Sequence, residues 1–529
     1  NVSVQRDDDP WLRPRIGGFK LLSHGASLVT GTNAGTHTIR RAAPWTDAAI
    51  LALGSLLLYA MLGEWTWYKI DGQITILRLA EGGPGHPRHL LADEILRLFL
   101  AWIRPLGLST YAGVRLFSAV TAAAAGFVVH RCTARLGVSR ARCAVAQAAF
   151  AATPSLVFYA SIVEFHAPLL FFASLAFYAT TRLGSSNRHG VGSALLAASS
   201  GVLSGFAYLQ HASGQFLPAL LVPWLVVLLR DGGRTSGRDL RKQLEPTSIS
   251  ARPWLPSIVL PAVLVAFHFA ITKGVPFAIR HYDLLPRFAP LAPTDASAFG
   301  YVAWHFESLT LAEFRFVPIT LTLEWIVPFL PLSVLAWFSG PRKPRGARRA
   351  LAIALVPYLG ISFLLMRHEN EFGAYTMPCV LLATVLAAWS CPPRLLVIAT
   401  LVTLFASTVH VRLHDAQSSG LQLARSLESR NLESRIVLLV AGETERDDAL
   451  MALPNRDFAQ YLWLEPLQDG VTPELLRSWL VDQEKHERRV LATARTVTWL
   501  ESVERLRGVY TTEDARLPEL PGARWIVAR

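Results

Sequence analysis

Residues 89–105 read HLLADEILRLFLAWIRP, and the interpretation of this segment decides how the rest of the chain is arranged. It is apolar enough to resemble a membrane span. On a helix, however, its residues divide into two faces. Asp93, Arg97, Ala101 and Arg104 share one face, and Leu91, Ile95, Leu98 and Trp102 share the other. A helix divided in this way lies in the interface between lipid and water. We therefore predict an interfacial helix, not a span.

Long apolar segments make up most of the chain between residues 44 and 411. Hydrophobic residues account for 52% of the whole sequence and charged residues for only 17%, whereas soluble domains carry about 25% charged residues. Runs of about 18–22 apolar residues can cross a hydrocarbon layer of roughly 30 Å. About eleven spans are predicted, near 45–63, 111–130, 143–160, 166–181, 192–209, 215–229, 254–272, 317–338, 350–366, 374–390 and 395–411. The predicted fold class is mainly α, a polytopic transmembrane helix bundle.

Basic residues lie mostly in the short loops between these segments. The net charge of +12 therefore indicates membrane orientation rather than binding to nucleic acid. With a cytoplasmic N-terminus, the inner loops are 131–142, 182–191, 230–253, 339–349 and 391–394. The first of them contains four arginines and no acidic residue. Counting 89–105 as a span would place these arginines outside, against the positive-inside rule. We predict a multi-pass protein of the inner (plasma) membrane.

Changes in composition divide the chain into three predicted regions. Residues 1–43 are polar and basic, which is typical of a disordered cytoplasmic tail rather than of a signal peptide. Residues 44–411 form the membrane domain. Residues 412–529 are predicted to form a small α/β domain, which an odd number of spans places outside the cytoplasm. Its predicted strands are 435–441, 489–493 and 525–529, and its predicted helices are 473–486 and 495–507.

Ionisable residues near membrane depth gather on the predicted outer side. Such residues are costly in lipid, so they are candidates for function. They are Asp71, Glu81, His86 and His89 in the first outer loop, Glu164 and His166 in the second, Gln210 and His211 in the third, Lys273, Arg280, His281, Asp283, His305 and Glu307 in the fourth, Arg367, His368, Glu369 and Glu371 in the last, and Glu324 within a span. Carboxylates, imidazoles and guanidinium groups on one side suit acid–base chemistry on an anionic substrate.

Each candidate also has a purely structural interpretation. The alternatives are a helix cap for Asp71, a span border for Glu164 and His166, a proline-containing turn for HPRH at 86–89, an interfacial anchor for Arg367 and an internal salt bridge for Glu324. The functional interpretation depends on the joint pattern, because four separate loops bring these groups to the same side.

Four stretches carry a family resemblance. They are WYKIDGQITILRLAEGGPGHPRHLL at 67–91, YASIVEFHAPLLFFASLAFY at 159–178, GFAYLQHASGQFLPALLVPWL at 205–225 and RHENEFGAYTMPCVLLAT at 367–384. Their order and spacing resemble those of the GT-C membrane glycosyltransferases, which include protein O-mannosyltransferases and the aminoarabinose transferase of lipid A. The matching positions are Asp71, Gly82, Gly83, His86 and Pro87, then Glu164 and Pro168, and finally Arg367, Tyr375 and Pro378.

The resemblance implies a GT-C bundle with juxtamembrane helices in the first outer loop, which moves a sugar from a polyprenyl-phosphate carrier to an acceptor on the extracytoplasmic face. It implies Asp71 as general base, with Glu164 and His166 orienting the acceptor or holding a divalent cation, Mg²⁺ or Mn²⁺. The residues expected to bind substrate or carrier phosphate are His86, His89, Lys273, Arg280, Arg367, His368, Glu371 and Tyr375.

Two departures from the family pattern put metal dependence in doubt. The usual second acid near Asp71 is absent, since Gly72 and Gln73 follow it. The second outer turn offers Glu164 and His166 in place of the usual aspartate. The acceptor, whether protein, lipid or glycan, stays open.

Two other classes of function also fit a bundle with intramembrane charges. A transporter or flippase of lipid-linked sugars would often show matching halves, and none is visible between 45–230 and 254–411. A polymerase or ligase of surface polysaccharide would rely on a large late outer loop, and 273–316 is long enough for one.

Overall fold

The computed structural model describes residues 45–63, 72, 75, 76, 79, 89–108, 110–184, 191–235, 256–281, 309–338, 346–365, 371–417, 436–441, 461–463, 471–518 and 521–529. The tail predicted over residues 1–43 lies outside the described residues.

The membrane region is a bundle of helices around one continuous apolar core. Its helices are α1 (Trp45–Leu62), α2 (Ala92–Ile103), α3 (Thr110–Arg135), α4 (Arg140–Ala151), α5 (Pro154–Ser161), α6 (His166–Gly184), α7 (Val191–Gln210), α8 (Leu217–Thr235), α9 (Pro256–His281), α10 (Val317–Leu321), α11 (Val327–Phe338), α12 (Ala347–Leu365), α13 (Met377–Ser390) and α14 (Pro393–Gln417). Trp224, Tyr159 and Phe177 are among the largest side chains that are fully buried in it. The mainly α fold class is confirmed.

Each segment predicted to span the membrane is helical, but the count of eleven is not established. Among the described residues, eight helices are long and apolar enough to cross a membrane, or nine if the bent pair α4–α5 is one span. Helix α6 is long enough but less apolar, because it contains His166 and Arg182. Helix α13 has only 14 residues. Both are largely buried by other helices, so neither needs to match the bilayer by itself.

Helix α2 corresponds to the predicted interfacial helix. Its 12 residues reach only about 18 Å, too short for a span. Leu98 and Trp102 are exposed, as expected for a face turned toward lipid. Asp93, which the helical pattern puts on the opposite, polar face, is buried, since only 1% of it is exposed. Ala92, Leu96 and Ile103 are buried with Asp93, whereas Ala101 and Arg104 are exposed, so only the start of the polar face of α2 packs against the bundle.

Helices α7 and α9 approach each other closely. A Cβ added to Gly201 would lie 2.3 Å from the backbone oxygen of Leu264, and one added to Gly205 would lie 2.5 Å from Cβ of Ile271. Between these glycines, Ser204 forms a 2.8 Å hydrogen bond with Nδ1 of His268. The two glycines therefore let the backbones of α7 and α9 approach closely, and the buried ring of His268 has Ser204 as its polar partner.

Helix α3 connects two ends of the bundle that differ chemically. Near its start, the Ser118 hydroxyl donates a 3.3 Å hydrogen bond to the backbone oxygen of Glu164. Twelve residues later, about 18 Å along the helix, Nδ1 of His130 lies 2.9 Å from Oε1 of Gln147. The four arginines of the predicted inner loop 131–142 follow directly, at the end of α3 and the start of α4. The candidate site residues around Glu164 and the arginine loop thus lie at opposite ends of the bundle.

The C-terminal region contains a five-stranded mixed sheet. Its strands are β1 (Ile436–Val440), β2 (Tyr461–Trp463), β3 (Arg489–Ala492), β4 (Tyr510–Asp514) and β5 (Arg524–Ala528), in the order β2-β1-β3-β5-β4. Strands β2, β1 and β3 are parallel, and β5 is antiparallel to β3 and β4. Helices α15 (Pro473–Lys485) and α16 (Ala494–Ser502) flank β3 in sequence. The predicted α/β character is confirmed, and β2 and β4 were missed.

Candidate functional site

Three histidines from separate segments stack on one another at the end of the bundle away from the arginine loop. The ring centroids of His89 and His211 are 4.7 Å apart and nearly parallel, at 18°. Those of His166 and His211 are 4.4 Å apart. Tyr375 lies against both, with its ring 5.8 Å from His211 and 6.0 Å from His166. We call His89, His166, His211 and Tyr375 the imidazole cluster; its three histidines are all buried.

A carboxylate lies directly beside this cluster. Oε2 of Glu164 accepts a 2.8 Å hydrogen bond from the backbone N–H of Phe165 and lies 3.2 Å from Nδ1 of His166. Both residues are buried; Glu164 lies in the turn that precedes α6, and His166 is the first residue of α6. When Nδ1 carries the proton and donates it to the carboxylate, Nε2 of the same ring is left as a hydrogen-bond acceptor. The pair can therefore orient a hydroxyl group.

A tight turn after α7 presents His211. Nδ1 of His211 accepts a 3.2 Å hydrogen bond from the backbone N–H of Ser213 and lies 2.8 Å from its hydroxyl. At Gly214 the chain folds back so closely that a Cβ would lie 2.5 Å from the backbone nitrogen of Tyr208. One residue before Gln210, the oxygen of Leu209 accepts a 3.0 Å hydrogen bond from the N–H of Leu91. This bond ties the segment that carries His89 to the end of α7.

Glu324 forms hydrogen bonds with the loop that carries Tyr375. Oε1 of Glu324 accepts a 3.0 Å hydrogen bond from the N–H of Glu371, and Oε2 accepts one of 2.9 Å from the N–H of Gly373. The Thr376 hydroxyl donates to the backbone oxygen of Glu324. Glu324 is fully buried and lies in a π-helical turn, Thr322–Ile326. Such turns often occur at functional sites.

Ring contacts fix the same loop from a second side. Phe372 has a left-handed backbone, with φ of 44°, and its ring stacks on His410 of α14 at 4.1 Å. The Tyr159 hydroxyl donates to the backbone oxygen of Glu371. A non-glycine residue with positive φ is strained and persists only where its surroundings hold it. The loop is therefore rigid, and Tyr375 has a fixed place.

The first of the juxtamembrane helices expected in the first outer loop contacts the turn that carries Glu164. Of that segment, Gly72, Thr75, Ile76 and Leu79 are described, and all four are helical. A Cβ added to Gly72 would lie 2.5 Å from the backbone oxygen of Val163, which precedes Glu164. Gly72, the residue that follows the predicted base Asp71 in the sequence, therefore packs against the turn that carries Glu164.

The structure brings together four of the predicted site residues, namely Glu164, His166, His89 and Tyr375. Glu371 is buried in the loop that carries Tyr375, and it is not a member of the imidazole cluster. Lys273 is exposed on α9 and makes no hydrogen bond or ion pair within the described part of the chain. Asp71, His86, Arg367 and His368 lie outside the described residues, as does the side chain of Arg280.

Sequence reasoning missed Asp93 and the clamping role of Glu324. Asp93 lies in the first turn of α2, four residues after the buried His89, and is itself buried. This spacing from His89 was the signal that could have found Asp93. Nothing in the sequence shows that Glu324 reaches a loop 47 residues away.

Among the described residues, no three His, Cys, Asp or Glu side chains are grouped so that they could hold a metal ion. Glu164 and His166 supply two such groups. A divalent cation at this pair therefore stays a prediction.

Comparisons with known proteins agree on the fold. A family model, dolichyl-phosphate-mannose-protein mannosyltransferase, matches residues 104–273. ArnT from Cupriavidus metallidurans bound to undecaprenyl phosphate superposes with a TM-score of 0.55, at 14% identity, over 91% of this chain and 98% of that one. The chain has the GT-C fold of membrane glycosyltransferases. ArnT without ligand gives a TM-score of 0.50, at 12% identity, over the same shares of the two chains. No curated protein sequence matches the chain.

The GT-C fold confirms the resemblance inferred from the four motifs. The family model covers 104–273, about a third of the chain, and this range includes Glu164, His166, Gln210 and His211. Helices α3 to α9 of the GT-C bundle therefore carry both the family match and half of the imidazole cluster.

Proposed function

We propose that this protein is a glycosyltransferase that moves a sugar from a polyprenyl-phosphate carrier to an acceptor at the imidazole cluster. The observation that carries the proposal is the buried Glu164–His166 pair stacked against His211, in a GT-C fold. A paired carboxylate and imidazole in a desolvated site is suited to handling a hydroxyl proton. The likeness to ArnT with bound undecaprenyl phosphate supports a polyprenyl-phosphate carrier.

The proposed reaction is a single displacement. Asp71 takes the proton of the acceptor hydroxyl while the acceptor oxygen forms a bond to the anomeric carbon. The bond from that carbon to the phosphate oxygen breaks, and polyprenyl phosphate leaves with the electron pair. This direct displacement inverts the anomeric centre. Packing of Gly72 against Val163 supports the choice of Asp71, because the neighbouring Glu164–His166 pair would then orient the same acceptor.

Negative charge that develops on the departing phosphate requires cations. Arg367 and Arg280 are the proposed phosphate ligands, because a guanidinium group matches phosphate geometry. Lys273 and His368 are proposed to assist. A divalent cation at Glu164 and His166 would supply further positive charge. Among the described residues, no third His, Cys, Asp or Glu side chain is grouped with this pair to hold the cation.

The membrane orientation is also proposed. The cluster and the arginine loop 131–142 occupy opposite ends of the bundle, so the positive-inside rule puts the cluster on the extracytoplasmic side. We propose that the protein resides in the inner membrane, with its α/β domain on the same side as the cluster.

The test uses purified protein, undecaprenyl phosphate linked to labelled mannose or arabinose, and a membrane extract as the source of acceptor. Wild type is expected to release undecaprenyl phosphate and to label the acceptor, whereas Asp71→Asn is expected to bind the donor and to turn over at least 100-fold more slowly. A folded Asp71→Asn variant with the wild-type rate would exclude Asp71 as base. Movement of donor across vesicles without transfer would favour a flippase.

A further inference from the structure

Gln210 carries a buried side-chain amide that has no hydrogen-bond partner among the described residues. None of its side chain is exposed, and neither Nε2 nor Oε1 has a hydrogen-bond partner within the described part of the chain. Gln147 shows the usual arrangement at equal burial. Its Nε2 donates a 3.0 Å hydrogen bond to the oxygen of Ala48, and its Oε1 lies 2.9 Å from Nδ1 of His130. Gln210 thus keeps both a donor and an acceptor unused.

An unused buried amide is destabilising, because it has lost its hydrogen bonds to water and gained none in return. Buried polar groups in proteins are therefore nearly always satisfied, and exceptions need a reason. A ligand that is bound during function is one such reason. Nε2 of Gln215, in the next turn of the chain, is likewise buried without a partner.

Gln210 lies in the chain between a residue that is bonded to the His89 segment and a residue of the imidazole cluster. The preceding residue, Leu209, accepts the hydrogen bond from Leu91 that anchors the His89 segment. The following residue, His211, forms the centre of the stack. The tight turn at Gly214 fixes the backbone after it. A group that satisfies Gln210 would therefore lie next to the reacting centre of the proposed enzyme.

The chemistry of the amide narrows the choice of ligand. An amide is neutral and offers a donor and an acceptor together. A phosphate oxygen could use only the donor, and its negative charge would repel Oε1. A hydroxyl group donates and accepts, so a sugar hydroxyl can satisfy both atoms. The proposed reaction brings two carriers of hydroxyl groups to the cleaved bond, the sugar and the acceptor. The Glu164–His166 pair is proposed to orient the acceptor, which leaves the sugar for Gln210.

We propose that Gln210 binds hydroxyl groups of the transferred sugar and so determines which sugar the enzyme accepts. The inference depends on the proposed function. It separates recognition of the sugar at Gln210 from recognition of the phosphate elsewhere in the site. A site built to hydrogen-bond a hydroxyl group discriminates strongly against ligands that lack it.

The experiment compares Gln210→Met with the matched control Gln147→Met. Both remove a fully buried amide and keep the length of the side chain. The dissociation constants of purified wild type and both variants are measured for undecaprenyl phosphate and for undecaprenyl phosphate linked to mannose, glucose or arabinose. Thermal unfolding without ligand is recorded in parallel.

Three results are expected. Wild type binds at least one of the sugar-bearing lipids more tightly than undecaprenyl phosphate. Gln210→Met loses this gain, by about tenfold or more, and binds undecaprenyl phosphate like wild type. Its unfolding temperature is unchanged or raised, because an unsatisfied amide is gone. Gln147→Met shows the opposite pattern, with lower stability and unchanged binding.

Other results overturn the inference. Wild-type binding of the sugar-bearing lipids by Gln210→Met means that a water molecule satisfies the amide. Equal weakening for all lipids assigns Gln210 to the phosphate or to the fold. If wild type binds none of the sugar-bearing lipids more tightly than undecaprenyl phosphate, the proposed role of Gln210 is also refuted. Binding of the carrier is not refuted by that result. Failure to bind any of the lipids would instead refute the proposed function.

Discussion

Oε2 of Glu324 accepts a 2.9 Å hydrogen bond from the backbone N–H of Gly373, and this bond joins a buried carboxylate to the loop that places Tyr375. The same carboxylate also accepts from Glu371. A carboxylate inside a membrane bundle is costly, and here the backbone N–H groups of Glu371 and Gly373 offset that cost.

Replacing Glu324 by glutamine should loosen this loop. The amide of Glu324→Gln keeps one acceptor and turns N–H donors toward a backbone N–H. We expect a loss of about 1–3 kcal/mol in stability, seen as a lower unfolding temperature, and slower sugar transfer. Ser204→Ala is the control, because it removes a buried hydrogen bond to His268 that does not involve the loop. Equal activity losses in the two variants would contradict the clamping role.

Gly373 should not tolerate a side chain. Its φ is 78°, and an added Cβ would lie 2.8 Å from Cβ of Pro328. The control is Gly107, which has a φ of 66° and open space around it. Gly107→Ala should cost about 1–2 kcal/mol from backbone strain alone, and Gly373→Ala should cost more because the contact adds to the strain. Unfolding temperatures measure the difference; equal shifts would mean that the loop can move away.

Close contact between α7 and α9 should depend on Gly201. A methyl group there meets the oxygen of Leu264 at 2.3 Å, so Gly201→Ala should force the helices apart and cost about 1–3 kcal/mol. Gly274 on α9 has nothing within 4 Å of an added Cβ. Gly274→Ala should be neutral or stabilising, because alanine favours helix. Unfolding temperature and the yield of folded protein check both variants, and a neutral Gly201→Ala would show that the packing adapts.

Glu164 and His166 should act as a unit. Glu164→Gln removes the carboxylate that orients the imidazole, and His166→Gln removes the ring. Each change is expected to slow transfer on the order of 100-fold. Because the two groups form one hydrogen-bonded pair, the double variant should be little worse than the slower single variant. Transfer rates under saturating donor measure this, and independent, multiplying effects would show that the pair does not cooperate.

Local patterns predicted the elements of the fold well. Apolar runs gave the helices, since crossing lipid requires long apolar segments, and the apolar strands β1, β3 and β5 were found. Strand β4, YTTED, is mostly exposed, so it lacks the alternation that marks a strand. The central helices α6 and α13 are surrounded by protein, so composition could not decide whether each one spans the bilayer.

The candidate site was predicted only in part. Charge distribution put Glu164, His166 and His89 on one side of the membrane, and the family resemblance added Tyr375. The structure brings these residues together in one cluster. The sequence could not show the central place of His211 in the stack. It also could not show that Asp93 is buried, because helical spacing shows which residues share a face but not which of them are turned to the bundle.

The interpretation of residues 89–105 shows what the sequence determined by itself. Their two-faced pattern and the positive-inside rule excluded a span, and the order of charged loops then put the acids and histidines on the side away from the arginines. These properties depend on the solvation of single segments in lipid and water. Tertiary packing alone decided that His211 joins His89 to His166, that Glu324 clamps the loop of Tyr375 and that Gln210 keeps an unused amide. The ring contacts and hydrogen bonds join residues that are far apart in the chain, and only the packing of the helices brings these residues together. The same packing determines which buried groups find a partner.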